Sequence, residues 1–239
     1  MIKHYLKVAF RNLMKYKTQS LVSIIGLAVG FTCFALSVLW IRYEMTYDTF
    51  HKGAERIYMV RAHYTDIPEH ISNSTPYPLA AYLQEKMPEI EAKATTSIHQ
   101  NVKIRMENDE YEVVMAAADS AFMNFFHIQL LKGTVNFLKE NNPEIAVTEE
   151  FAKKLFGSED DALGKEMEVN GRSRQIGAIV SGWSRHSNIP YSVLVAARHS
   201  PRWKSGPEQL FIRVRAGMDM DTFWKKNKYH GSFRYSKRE

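Results

Sequence analysis

LVSIIGLAVGFTCFALSVLWI, Leu21 to Ile41, decides how the chain is organised. No side chain in it is charged, and only Ser23, Thr32 and Ser37 carry a hydroxyl. As a helix rising about 1.5 Å per residue it spans roughly 31 Å, matching the hydrocarbon core of a bilayer. The hydroxyls can bond back to carbonyls one turn earlier, and Gly26 and Gly30 are at home in membrane helices. A cleaved secretory signal has an apolar core of only about 7 to 15 residues and a small-residue cleavage site. This run ends instead in Trp40, Ile41, Arg42, Tyr43 and Glu44, where an aromatic pair suits the interface and no A-x-A pattern offers a cut. The stretch predicts an uncleaved transmembrane helix, residues 20–43.

The flanks orient it. Met1 to Lys17 carries Lys3, Lys7, Arg11, Lys15 and Lys17 with no acid, and basic residues beside a membrane helix stay on the cytoplasmic side. The same segment spaces its bases four apart and its apolar residues, Leu6, Phe10, Leu13 and Met14, at helical intervals. Residues 1–19 therefore read as an amphipathic helix in the cytoplasmic headgroup region, its bases toward lipid, turning into the membrane at Lys17 to Ser20. The rest of the chain then lies outside the inner membrane of a bacterium, in the periplasm.

The net charge of +6 does not point to nucleic acid, because the excess sits at the two ends. Residues 225–239 hold six Lys or Arg against Glu239, and residues 18–224 carry 21 bases and 25 acids. A net-acidic body is no electrostatic partner for phosphate. No second apolar run reaches membrane length, so everything after residue 43 is expected to be water-soluble. Cys33, the one cysteine, lies inside the membrane run and reads as a small apolar filler, leaving the outer domain without disulfides.

Along that domain, Arg56 to Tyr64 reads as a strand, and Ser74-Thr75-Pro76 breaks the chain before a helix from Pro78 to Met87. Val102 to Met106 and Glu110 to Ala117 form a hairpin through Glu107-Asn108-Asp109. Asp119 caps a short helix ending at Phe125 and Phe126, and Glu144 to Thr148 is a strand. Thr148 then caps a helix from Glu149 to Phe156, which Gly157 stops. Lys165 to Val180 is a second hairpin, turning at Asn170-Gly171, the strongest short turn signal in the chain. Ser192 to Ala196 and Gln209 to Arg215 complete the strands. The class is α+β.

A search for chemistry finds none. GSEDDALGK, Gly157 to Lys165, imitates a phosphate loop but has six residues between the first Gly and the Gly-Lys pair, and Glu166 follows where Ser or Thr is needed. It reads as a solvated turn. The nine histidines are scattered without an HExxH pair, and Asp119-Ser120 lacks a nucleophile elbow. Glu89 with Glu91, and Asp160 with Asp161, read as surface acids. No catalytic, cofactor or metal residue is expected, and the chain does not read as an enzyme.

Several pieces, in order, resemble the FtsX-like permeases of MacB-type ABC transporters. FRNLMKYKTQS (10–20) is similar to their cytoplasmic elbow and IIGLAVGF to their first membrane helix. YDTFH (47–51) followed by ERIYMV (55–60) is similar to the opening of their extracytoplasmic domain, which singles out Tyr47, Asp48, Phe50, His51, Arg56, Ile57 and Tyr58 as a structural signature. MPEIEA (87–92), FFHIQLLKG (125–133), AVTEEFAKKLFG (146–157) and LGKEM from Leu163 resemble the MacB-like core. The resemblance covers residues 1–215, diverging at GWSRHSNIP.

It implies a MacB-like periplasmic core at 44–223, with a porter-like β-α-β part and a smaller β-rich part, followed by a disordered basic tail at 224–239. It also implies a permease that dimerises, works with a separate cytoplasmic ABC ATPase and relays ATP-driven motion to its periplasmic domain for export, with no cofactor of its own. Members continue into three or more further membrane helices, whereas this chain offers DTFWKKNKYHGSFRYSKRE, so it is expected to be the front portion of a permease. Gly26 and Gly30 would then pack against those further helices. The alternative is a single-span periplasmic adaptor without transport of its own.

Overall fold

The computed structural model describes residues 2–63, 71–106, 109–183, 187, 189–203, 208–218, 223, 229–230 and 233–234. The chain divides into two compact units, residues 1–47 and 48–239.

The first unit is two helices, α1 (Ile2–Lys15) and α2 (Lys17–Met45). They are separated by one residue, Tyr16, whose φ of −108° and ψ of 55° leave the helical region. The bend therefore comes before Lys17, not between Lys17 and Ser20, and the membrane helix includes the polar Lys17-Thr18-Gln19-Ser20 turn. Within α2, Thr32 Oγ1 donates to the Ala28 carbonyl and Ser37 Oγ to the Cys33 carbonyl, both at 2.8 Å, so neither hydroxyl is left bare on an apolar helix. Among the described residues α2 alone is long and apolar enough to cross a membrane.

The second unit opens with a 3-10 turn, Ala54–Arg56, and strand β1, Ile57–Val60. The predicted strand thus starts one residue late and breaks at Arg61; Ala62–His63 (β2) pairs instead with Ile71–Ser72 (β3), and Tyr64 lies outside the described residues. Helix α3 (Tyr77–Lys86) buries Leu79, Ala80 and Leu83, with Met87 closing the face. Then comes β4, Ile90–Met106, a 17-residue strand of which the predicted Val102 to Met106 is only the end. Its partner β5 is Asp109–Ala118; the predicted turn residues Glu107 and Asn108 lie outside the described residues.

Helix α4 (Phe122–Phe126) follows, without the predicted Asp119 cap. Asp119 Oδ2 accepts from the backbone N–H and hydroxyl of Thr95 on β4, at 2.8 and 2.9 Å, while Oδ1 accepts from Ala121 N. Its carboxylate pins the end of β5 to the neighbouring strand. Strand β6 (Leu130–Gly133), unforeseen, precedes β7 (Glu144–Thr148). Thr148 Oγ1 accepts from Phe151 N to cap α5 (Glu149–Phe156). The acidic turn after Gly157 is a one-turn helix, α6 (Glu159–Ala162), with Ser158 as its cap and Ala162 fully buried. Strands β8 (Glu166–Val169) and β9 (Arg172–Val180) then turn on Asn170 and Gly171, whose φ of 48° and 76° are what a two-residue hairpin of this twist requires. Strands β10 (Val193–Ala196) and β11 (Gln209–Val214) finish the sheet. In the tail, Tyr229–His230 pairs with Phe233–Arg234; the rest of 224–239 lies outside the described residues.

Apart from the β2-β3 pair and the pair in the tail, the strands make one nine-stranded sheet, ordered β1-β11-β4-β5-β10-β7-β9-β6 with β8 off this path. Strand β8 pairs with both β4 and β9, so β4-β5-β10-β7-β9-β8 close into a six-stranded ring. The two parts expected of the domain share this single sheet. One is an open half in which α3 covers β1, β11 and the start of β4 through Val60, Leu79, Leu83, Leu210 and Ile212. The other is the ring, filled by Val102, Ile104, Val113, Ile145, Met167 and Ile176, with Phe151 of α5 packed among them. A register shift between His99 and Val102 marks where β4 passes from one to the other. A third cluster, around Phe122, Phe126, Phe137 and Leu194, takes the alternate residues of the same strands, Phe211 between Leu210 and Ile212 and Ala146 between Ile145 and Val147, and so lies on the opposite face of the sheet.

Candidate functional site

The residues singled out from sequence form a clamp at the start of the second unit. Asp48 sits at φ 56°, a left-handed conformation that Asp tolerates better than most residues. Ser187 Oγ donates to its carboxylate at 2.5 Å and also accepts from Ile189 N at 3.1 Å. The loop that carries Trp183 and Tyr191 is thereby tied to the first residue of the unit.

Three residues on, His51 is buried in an aromatic cage. Its ring centroid lies 4.2 Å from Phe50, 5.1 Å from Phe126 and 4.7 Å from Trp183, the last edge to face. Trp183 in turn meets Phe122, Phe126 and Tyr191, so the cage is continuous with the central core. Burial pushes the His51 pKa down, with His127 acting the same way; Asp48 and the Phe126 carbonyl pull it up without overcoming the loss of water. The imidazole is held neutral, and its Nε2 has no hydrogen-bond partner.

Arg56 makes the third attachment. Its Nη1 donates to Glu91 Oε2 at 2.8 Å and to the Val214 carbonyl at 3.2 Å, joining the turn before β1 to the ends of β4 and β11. Ile57 and Tyr58 follow in β1, paired with Arg213 and Ile212, and the Tyr58 hydroxyl donates to the Glu55 carbonyl. Asp48, Phe50, His51, Arg56, Ile57 and Tyr58 therefore all lie within one unit, in contact with separate parts of it. Tyr47 belongs to the helical unit, its ring edge to face with Tyr43 at 5.8 Å. Gly26 and Gly30 are on α2, where a Cβ added at either would meet nothing within 4 Å.

Sequence reasoning missed the receiving side of the clamp: Trp183, Ser187, Glu91 and Phe126. Glu91 lies in MPEIEA, Phe126 in FFHIQLLKG, and Trp183 and Ser187 in the divergent GWSRHSNIP, but nothing local to Trp183 or Ser187 announces that they meet residues more than a hundred positions earlier. Arg213, also missed, lays its guanidinium 4.8 Å from the centre of the Phe125 ring and donates to the Phe125 carbonyl, fixing α4 under the cage. Among the described residues no three His, Cys, Asp or Glu side chains gather to hold a metal. The arrangement is aromatic around His51 and hydrogen-bonded at Asp48 and Arg56, and it holds the start of the second unit at three places in the fold.

Residues 20–225 match the family model described as the MacB-like periplasmic core domain. No curated protein matches the chain. Among solved structures it is similar to a domain assigned to a permease protein of Porphyromonas gingivalis, with a TM-score of 0.62 and 22% identity over 74% of this chain and 82% of that one. It is also similar to the periplasmic region of MacB from Actinobacillus actinomycetemcomitans, with a TM-score of 0.51 and 12% identity over 72% and 81% of the two chains. The extracellular domain of the noncanonic ABC-type transporter YknZ from Gram-positive bacteria gives a TM-score of 0.53 and 10% identity over 75% of this chain and 100% of that one. At these identities the likeness speaks for the fold. The family match takes in α2, the clamp and the ring together, and the chain belongs to the MacB-like periplasmic core domain family of ABC-transporter permeases.

Proposed function

We propose that this chain is the membrane-anchored permease component of a MacB-type ABC transporter, and that the Asp48–Arg56 clamp passes motion of the membrane helix to the periplasmic domain. In this reading residues 1–19 form the cytoplasmic elbow, 20–43 cross the inner membrane, 44–223 form the periplasmic core and 224–239 a basic tail. A separate cytoplasmic ABC ATPase hydrolyses ATP, and a second permease copy or further permease helices pack along Gly26 and Gly30 within the lipid. The chain itself performs no bond chemistry.

The observation that carries the proposal is the density of attachment immediately after the helix. Within nine residues the chain is bound through Asp48, His51 and Arg56 to three separate parts of the domain. A passive tether needs only a flexible linker, whereas a relay needs a joint that does not absorb displacement.

The test has two steps. The full chain, extracted from membranes in mild detergent, is expected to co-purify with an ATPase; its consistent absence would remove the permease role. Inserting a flexible Gly-Ser linker of about six residues between Tyr47 and Asp48 is then expected to keep the ATPase bound while abolishing the ATP-dependent change in distance between spin labels on two copies of the domain. An unchanged response would exclude the clamp as the relay.

A further inference from the structure

The ring formed by β4, β5, β10, β7, β9 and β8 has two unlike ends. Strands β7 and β10 are antiparallel, so α5, which starts where β7 finishes, lies at the opposite end from the close of β10. At that other end the ring holds a cavity of about 460 Å³. Met115 and Val195, which pack on the ring's apolar filling, form its walls, and Arg172, Arg174, Arg198 and Glu208 are among its polar lining. Barrel mouths are a recurrent place for small ligands, and the volume is within the range such sites occupy.

Glu208 is the unusual member. It is 4% exposed, and one carboxylate oxygen, Oε1, lies 3.1 Å from His199 Nδ1, whose ring stacks on Tyr77 at 3.7 Å. The other, Oε2, is buried and has no hydrogen-bond partner. A buried carboxylate oxygen without a donor is costly enough that native proteins rarely leave one, and this one borders a cavity. Its backbone carbonyl accepts from both the N–H and the hydroxyl of Thr75, so the residue is held in place. What the oxygen lacks is a donor, and a cationic donor satisfies it best.

The arginines have the complementary lack. Arg172 and Arg198 are exposed and make no ion pair among the described residues, and Arg174 uses one nitrogen on the Asn142 carbonyl. Planar guanidinium forks match a carboxylate in two-point contact. One cavity thus offers a buried anion, several cations and an apolar wall.

We propose that the ring mouth binds a short zwitterionic peptide, with its ammonium on Glu208, its carboxylate among Arg172, Arg174 and Arg198, and an apolar side chain against Met115 and Val195. This stands independently of the relay, since binding at the mouth requires neither ATPase nor motion. The same pairing of ammonium and anion occurs in an aminophospholipid headgroup, so the test separates the two.

The experiment is calorimetric titration of the detergent-solubilised full chain with leucyl-leucine, N-acetyl-leucyl-leucine, leucyl-leucinamide and phosphorylethanolamine. Leucyl-leucine is expected to bind saturably, and each blocked analogue at least about tenfold more weakly, equivalent to about 1.4 kcal/mol. Glu208→Gln is expected to erase the preference over the acetylated peptide, and the double change Arg172→Gln with Arg198→Gln the preference over the amide. The proposal is overturned if leucyl-leucine fails to saturate by about 10 mM, if the acetylated peptide binds equally well, or if phosphorylethanolamine binds more tightly. Should Glu208→Gln not fold, the analogues measured on the unaltered chain still decide. A chain that binds leucyl-leucine but no ATPase would keep this site and lose the relay.

Discussion

Ser187 donates a 2.5 Å hydrogen bond to the Asp48 carboxylate, joining the first residue of the domain to a loop 139 positions later. The acceptor is a carboxylate oxygen, the contact is short and Ser187 is buried, so the bond belongs to the stronger kind. Asp48→Ala and Ser187→Ala are each expected to cost about 1–3 kcal/mol. The double variant should cost less than their sum by about 1 kcal/mol or more, the signature of a direct pair. Chemical denaturation of the four proteins measures this, and strict additivity would place the two residues in separate roles.

His51 predicts how the domain responds to acid. Burial holds its folded-state pKa below the ordinary value of 6.5, so below about pH 6.5 the unfolded chain takes up a proton that the folded one resists. Stability is therefore unaffected by this group above that pH, and declines as pH falls from 6.5 toward the lowered value. Melting curves at about pH 7.5 and 5.5 should show the loss, and His51→Gln should shrink it. His127→Gln is the companion measurement, because burial and the nearby Arg213 and Lys52 charges lower that pKa too. A pH response that survives both changes would move the effect elsewhere.

Gly133 on β6 stands opposite Ala178 on β9, with the Gly177 carbonyl turned against it, and Gly177 in turn lies under the Glu144 side chain. A Cβ on Gly133, whose φ is 83°, would stand 2.1 Å from the Gly177 carbonyl oxygen, and one on Gly177 would meet Glu144 Oε2 at 2.6 Å. The first obstacle is backbone and cannot swing aside; the second is the Glu144 side chain, whose carboxylate can move although its Cβ, at 3.0 Å, leaves little room. Gly133→Ala is expected to cost about 3 kcal/mol or more and Gly177→Ala about 1–3 kcal/mol, an order that denaturation midpoints check directly.

The Thr148 cap offers a smaller, local measurement. Its hydroxyl is the acceptor for Phe151 N at the start of α5, so Thr148→Ala should lose about 1 kcal/mol, while Thr148→Ser retains most of it. Equal losses in the two variants would assign the effect to the buried methyl group.

Gly26→Leu with Gly30→Leu tests the membrane helix as a packing face. Both positions are open in the isolated helix, so insertion should be unaffected, whereas association with a second copy or with further permease helices should weaken. Detergent cross-linking reads this, and unchanged association would reduce α2 to an anchor.

Local chemistry made the sheet's hairpins and caps legible. Asn170-Gly171, Thr148 and the 21-residue apolar run each announce themselves within a few residues. The first eleven residues of β4, IEAKATTSIHQ, did not, because Ala, Lys and Gln have little strand preference and pairing with β5 and β11 on either side imposes the conformation. Ring closure was equally hidden, since it rests on Ile104 meeting Val169 and Arg105 meeting Glu168, contacts between distant segments. Asp119 was read as a helix cap because Asp before an apolar turn is a cap signal; Thr95, on the adjacent strand, competes successfully for its carboxylate. The signature YDTFH was visible, but its purpose depended on Trp183 and Ser187, which no spacing rule connects to it.

Strand β4 has a consequence for how the domain comes to exist at all. It serves β11 with its first half and β8 with its last, so neither the open half nor the ring can be completed while the other is unmade. The second unit should therefore fold in a single transition rather than in two. It should also resist being cut into two independently stable pieces, and insertions are tolerated at the hairpin tips around it but not within it.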